Sequence, residues 1–474
     1  MAIITQSNTA STRCFAALQL KPAVVAPLDQ DFHPTALFNR NYLAAAQKSG
    51  TTVPLVLGLE REAGLVSRFE TVVKAEMDAD TLRYVERIVK FLLWARGGWR
   101  IHVGGPTAVG ESIRQIFSAT GARKFDVDLM TRVYEKPFEV VITDADSVPA
   151  AREVNIALGG HLDGCRIGFD LGASDYKVAA VQNGDVVYSD EFPWNPKDQA
   201  DPEYHYQHLA SGIKKAAAHL PRVDAIGGSS AGVIVNNQIM VASLMRAVPP
   251  SQFGQAKNIF RRLRDEWRVP VEVANDGDVT ALAGAMSLKS SGLLGIAMGS
   301  SQAAGYLNPQ GGMTGWLSEL AFAPVDNNPQ AARDEWSGDA GVGVMYFSQQ
   351  AVNKLLPAAG IGLPGDMGLP ERLKAVQELM AQGNARAARI YETIGVYFGY
   401  AIALYADFYA FDDLLILGRV TTGGGGDVLL EKAREVLKVE FPKLAARIRL
   451  HVPDEKNKRV GQAVAAASLP PLPK

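Results

Sequence analysis

Cysteine is scarce in this sequence: Cys14 and Cys165 are the two in 474 residues. That is too few for a disulfide framework and fits a reducing, cytoplasmic compartment. An excess of charge is missing too. Lysine and arginine total 48 against 50 aspartate and glutamate, so no global field recruits nucleic acid or an anionic membrane. Gly, Asp or Asn interrupts every apolar run within about 18 residues, short of a membrane helix. Neither nucleic acid nor membrane is therefore expected as a partner. Acidic residues are absent from Met1 to Pro27, a weak mark of an organelle transit peptide, although a short disordered or edge-strand start is commoner. What the chain does have is core material. Hydrophobic residues make up 47% and charged residues 21%, enough for two or three globular domains.

The most informative segment is Arg166 to Val181, where two alternating apolar runs flank Asp170, Gly172 and Ser174. Small residues let an anion approach the backbone, and Asp170 closes the first strand where a carboxylate can hold a metal or its water. Taken alone, the segment is equally an ordinary Gly-Ala-Ser hairpin. Four more segments follow. Val223 to Val235 is a strand breaking into small residues, and Val269 to Ala285 is a strand, an Asn275-Asp276 corner and a helix. Leu293 to Leu307 repeats the strand, small-residue turn, strand pattern, and Asp413 to Asp427 is a buried strand ending in glycines before a helix.

This order resembles the actin-like ATPase and sugar-kinase superfamily, and within it the ROK family of sugar kinases and sugar-responsive repressors. The resemblance runs from about Cys165 to the C-terminus and is most specific at the Asn275-Asp276 corner and the Asp170 hairpin. It implies an α/β fold of two actin-like (ribonuclease H-like) lobes, over 160–280 and 290–474, behind an N-terminal α/β region over 1–150. The implied activity is ATP-dependent phosphorylation of a sugar hydroxyl, on a hexose or amino sugar, with ATP and Mg²⁺. By match, Asp276 takes the hydroxyl proton, and Asn275 and Glu319 contact the sugar. Asp170, Gly172 and Ser174 form the first phosphate hairpin, with Asp170 holding Mg²⁺ through water. Gly299 and Ser300 form the second, and Gly418 with Gly423, Gly424, Gly425 and Gly426 forms the adenosine loop. The family often forms dimers, so a homodimer is a further expectation.

The departures matter as much. Phe322 stands where the family has a His, and no Cys or His remains around Ser337 to Gly343 for the family's zinc. Ser301 and Ala303 replace glycines in the second phosphate turn. These changes motivate a second reading, a catalytically inactive sugar or nucleotide sensor. A repressor would need a basic winged helix-turn-helix at its N-terminus, which the first third lacks.

That first third reads as two strands around Ala63-Gly64, a helix from Thr81 to Trp94, a strand ending at Gly104-Gly105 and a helix from Val109 to Phe117. The order echoes Ile390 to Leu437, so the region is either a generic α/β unit or a decayed actin-like lobe, the former being commoner. With Glu60 and no Asp-x-Gly-x-Ser turn, it is expected to pack or regulate. Linkers are expected near 143–154 and 357–370. His205 and His208 read as part of an exposed helix start, Trp194 and Tyr204 as packing anchors, and Asp278 as a helix cap. Trp316, Asp334, Glu335, Trp336 and Asp339 read as a charged surface loop around Glu319.

Overall fold

The computed structural model describes residues 21–155, 159–452 and 455–472, so Cys14 and most of the acid-free start lie outside the described residues. The N-terminal unit comprises α1 (Thr35–Lys48), β1 (Thr52–Glu60), β2 (Val66–Lys74), α2 (Ala79–Arg96), β3 (Arg100–Gly104), α3 (Thr107–Ile116), α4 (Lys124–Tyr134) and β4 (Glu139–Thr143). Its sheet runs β2-β1-β3-β4, with β1 antiparallel to both neighbours. Asp78 starts α2 by accepting the Thr81 N–H, and Gly97 ends it with φ of 84°. The stretch after β4 is strapped down and does not hang as a linker. Residues 66 and 152 form a bridge, and the Glu153 carboxylate accepts from Arg61 and Ser67.

The first lobe contains β5 (Cys165–Leu171), β6 (Asp175–Gln182), β7 (Asp185–Pro193), α5 (Pro202–Ala217), β8 (Ala225–Ser230), β9 (Val233–Val235), β10 (Gln238–Val241), α6 (Phe253–Lys257), α7 (Ile259–Trp267), β11 (Val271–Asn275) and α8 (Asp276–Leu288). Its sheet runs β11-β8-β5-β6-β7, parallel from β11 to β5 and antiparallel beyond. The second lobe contains β12 (Leu293–Met298), β13 (Gln302–Leu307), α9 (Gln349–Leu355), α10 (Leu369–Ala381), α11 (Ala385–Tyr405), β14 (Asp413–Leu417), α12 (Gly424–Glu440), α13 (Pro442–Arg447), β15 (Arg449–His451) and α14 (Glu455–Ala467). Its sheet runs β13-β12-β14-β15 on the same plan, a hairpin followed by parallel strands. The N-terminal sheet departs from that plan because β1 and β3 are antiparallel, which sets it apart from both actin-like lobes.

The chain does not end in its second lobe. Helix α14 returns to the first and lies across β5 and β8, where Gly168 and Gly227 sit opposite each other in register. A Cβ on Gly168 would lie 1.8 Å from the Ala463 carbonyl oxygen, and one on Gly227 would lie 1.7 Å from that of Ala466. Paired glycines thus make the groove that seats the helix. The N-terminal unit in turn buries its apolar face on the second lobe, with Phe91 stacked on Phe408 at 4.1 Å between centroids.

Candidate active site

The two lobes meet where β5 and β11 end. Asp170 closes β5, next to Ser229 of β8, whose hydroxyl donates to Asp170 Oδ1 at 2.7 Å. Burial raises the Asp170 pKa, opposed by the Ser229 bond and by Lys177, whose Nζ lies 3.9 Å away. Asp276 opens α8. Its position is set by Asn275, whose Oδ1 caps the helix on the Gly277 N–H at 2.8 Å while its Nδ2 donates to the Gly232 carbonyl at 2.8 Å. The same turn presses onto β13, since a Cβ on Gly305 would lie 2.0 Å from the Gly277 carbonyl oxygen. Asp278 is not the cap. Three residues past Asn275, it accepts the Tyr306 N–H of β13 at 3.2 Å.

Asp276 separates two cavities and lines both. The inner one, about 320 Å³, also presents Asn275, Glu319 and Asp334. The outer one, about 200 Å³, presents Asp170, Gly172, Gly277 and Gln462. Among the described residues, no lysine, arginine or histidine lines either. Burial, then the Asp170 carboxylate, pushes Asp276 up to about 6. Burial, then Asp276 and Asp278, pushes Glu319 up to about 8, and burial pushes Asp278 to about 7.

The remaining expected residues divide. Gly172 lines the outer cavity, but its N–H already donates to the Asp175 carbonyl at 3.0 Å, and the Ser174 hydroxyl bonds Asp175 Oδ2. Closing so tight a turn uses the Gly172 amide and the Ser174 hydroxyl, two of the donors expected for phosphate. Gly299 likewise donates to Ser301 O, and Ser300 is exposed at the tip of the β12–β13 turn. Gly418 lies against the Met298 backbone, which brings the end of β14 beside that turn. Gly423 and Gly424 have open space where a Cβ would go, whereas Gly425 packs on the Tyr391 ring and Gly426 on the Thr421 carbonyl. None of Ser174, Gly299, Ser300, Gly418 or Gly423 to Gly426 lines the two cavities.

His205 is buried and hydrogen-bonded to the Pro196 and Leu244 carbonyls, which removes it from any exposed helix face. Trp194 holds the first hairpin through Nε1 to the Gly172 carbonyl at 2.9 Å. Among the described residues no cluster of three His, Cys, Asp or Glu can hold a metal ion. A lone Asp170 beside a phosphate-sized cavity still fits Mg²⁺ held mainly by water and phosphate oxygens.

The expected surface loop is split in placement. Asp334 and the exposed Trp336 line the inner cavity, while Asp339 is buried against Lys90 and Arg123. Three further residues carried no sequence signal. Trp94 and Leu129 reach the inner cavity from the N-terminal unit, and Gln462 of α14 bonds Ser229 Oγ at 3.1 Å and Asp170 Oδ1 at 3.3 Å.

Two sheets of one plan, joined at a cleft faced by Asp170 of a strand hairpin and Asp276 of a strand–helix corner, have the actin-like fold. The sequence matches no family model and no curated protein. Solved structures refine the class. A ROK hexokinase from Thermus thermophilus aligns at 18% identity over 64% of this chain and 97% of its own, with a TM-score of 0.51. A ROK family transcriptional regulator, a homologue of the E. coli MLC protein, aligns at 19% identity over 65% of this chain and 78% of its own, with a TM-score of 0.53. The chain carries the ROK-family fold, as the resemblance implied.

Proposed function

We propose that this protein is an ATP-dependent sugar kinase in which Asp276 is the general base. The observation that carries the reading is that Asp276 alone among the carboxylates borders both the inner, polyol-sized cavity and the outer cavity next to Asp170. A hydroxyl held by Asn275 and Glu319 gives its proton to Asp276 as its oxygen bonds the γ-phosphorus. The bond from that phosphorus to the β,γ-bridging oxygen breaks, and ADP leaves with the electron pair. A base whose pKa is pushed up to about 6 is ionised near neutrality and still basic enough to accept a proton. Mg²⁺, when bound, neutralises charge on the β- and γ-phosphoryl oxygens. Asp170 would hold its water shell, and Ser229 and Gln462 fix that carboxylate.

A second reading, a sugar sensor without turnover, is favoured by Phe322 and by the occupied Gly172 and Gly299 amides. ADP release across a hexose and amino-sugar panel, alongside a binding measurement, separates the two. Sugar-dependent turnover supports the kinase, binding without turnover supports the sensor, and sugar-independent turnover contradicts both.

A further inference from the structure

We infer that the N-terminal unit completes the sugar pocket: the buried Trp94 backs the aromatic wall on which a neutral sugar ring packs, and the buried Lys90–Asp126–Asp339 network positions that wall. The inference rests on the inner cavity being the sugar site. Trp94 and Leu129 line this cavity from α2 and α4, facing residues of both lobes. Lys90 precedes Trp94 by one helical turn, so both project from one face of α2. The fully buried Lys90 ammonium donates to Asp126 Oδ1 at 2.7 Å and to Asp339 Oδ2 at 2.6 Å. Trp94 Nε1 donates to the same Asp126 oxygen at 2.6 Å, which fixes the plane of the indole.

The other arm of the network reaches a further part of the lining. Asp339 also accepts from Arg123, and its carbonyl accepts the Asp334 N–H at 2.9 Å, closing the turn that carries Asp334 and Trp336. Phe322, in the place of the resembled family's His, lies 4.4 Å from Trp94 and 5.2 Å from Trp336 between centroids. The segment that lacks zinc ligands is thus cross-linked to the N-terminal unit by ion pairs. A buried ion network fixes geometry more than it adds stability, as a positioning device requires.

The chemistry of the lining selects the ligand. Among the described residues, Asp276, Glu319 and Asp334 face the cavity with no cationic side chain in its lining, while Trp336, 60% exposed, offers an apolar surface to the C–H face of a ring, with Phe322 and Trp94 packed behind it. Neutral sugars fit, and uronates and sugar phosphates meet like charge.

The test is calorimetric titration of the full chain with glucose, mannose, N-acetylglucosamine, glucuronate and glucose 6-phosphate, and with ATP. The double variant Lys90→Met/Asp126→Asn removes one charge of each sign. We expect its Kd for the bound neutral sugar to rise about tenfold or more while that for ATP changes less than about twofold. Hydrogen exchange should accelerate in 334–341. Should the double variant not fold, Leu129→Ala, which touches the wall and not the network, is expected to weaken the sugar several-fold. An unchanged sugar Kd in a folded variant overturns the inference. So does a wild type that binds no neutral sugar, or one that binds the acidic sugars equally well. Because the readout is binding, a protein that binds neutral sugar as described without turnover contradicts the kinase reading and supports this one.

Discussion

At the scale of single residues, the site is governed by carboxylates that stand close together out of water. Asp276 feels Asp170, and Glu319 feels Asp276 and Asp278. Asp276→Asn keeps the shape and removes the base, so kcat should fall about 10²- to 10⁴-fold. Nucleotide affinity, measured by titration, should stay nearly constant, and its parallel loss would mark Asp276 as structural. For the wild type, kcat/KM should rise with pH through about 6 and then level, since the base works only when ionised. Asp170→Asn removes a like charge and should move that rise to lower pH.

Glu319 gives a stability prediction with a definite sign. Its folded pKa is pushed up to about 8, above the ordinary carboxyl value near 4.5, so between these values the folded state holds a proton that the unfolded state has lost. Stability therefore declines as pH rises across that window. Glu319→Gln removes this contribution. The variant should match the wild type near pH 4 and exceed it by about 1–3 kcal/mol near pH 8, read by urea unfolding, while losing sugar affinity. A variant less stable than the wild type at the higher pH would show that the carboxylate is compensated by an interaction the site does not contain.

At the scale of elements, the sequence was legible wherever a pattern is local. The Asp170 hairpin, the Asn275-Asp276 corner and the glycine-terminated β14 all form where alternation and small residues placed them. Helix α12 begins at Gly424, earlier than its apolar spacing suggests, because glycines carry no side-chain pattern to read. Donor status was not legible. Whether the Gly172 N–H is free depends on how tightly its turn closes, and it closes onto Asp175.

Helix α14 was the larger omission, because its partner sheet lies nearly three hundred residues earlier in the chain. Its seat makes a prediction. Gly227→Ala places a methyl group where the Ala466 carbonyl now sits, and the contact is backbone on both sides, so neither can step aside cheaply. We expect a loss of about 1–3 kcal/mol in urea unfolding, with weakened nucleotide binding because Gln462 rides on the displaced helix. Unchanged nucleotide affinity in the destabilised variant would separate Gln462 from the phosphate site.

At the scale of the whole molecule, the three large sheets do not make three independent bodies. The N-terminal unit and the second lobe share one hydrophobic core, in which Tyr42, Phe91, Trp94, Tyr397 and Phe408 belong to a continuous cluster. The first lobe has a cluster around Phe169, Tyr206 and Phe260, and a further one, in which Val279 and Leu282 of α8 meet Leu293, Leu415 and Ala465, joins it to the second lobe. Trp94 shows why this was hidden in the sequence. On α2 it reads as one more apolar residue at helical spacing, and its pocket partners, from Gly232 to Val344, are separated from it by more than a hundred residues. Since elements that share a core unfold together, calorimetry of the full chain should show one cooperative transition. Removing residues 1–150 should then leave the second lobe with its apolar face in water, seen as dye binding and loss of near-ultraviolet dichroism. A truncated chain that unfolds cooperatively, with the second lobe as stable as before, would mean that the shared core is only contact between two finished surfaces, and that the N-terminal unit was docked onto an already complete kinase-like body.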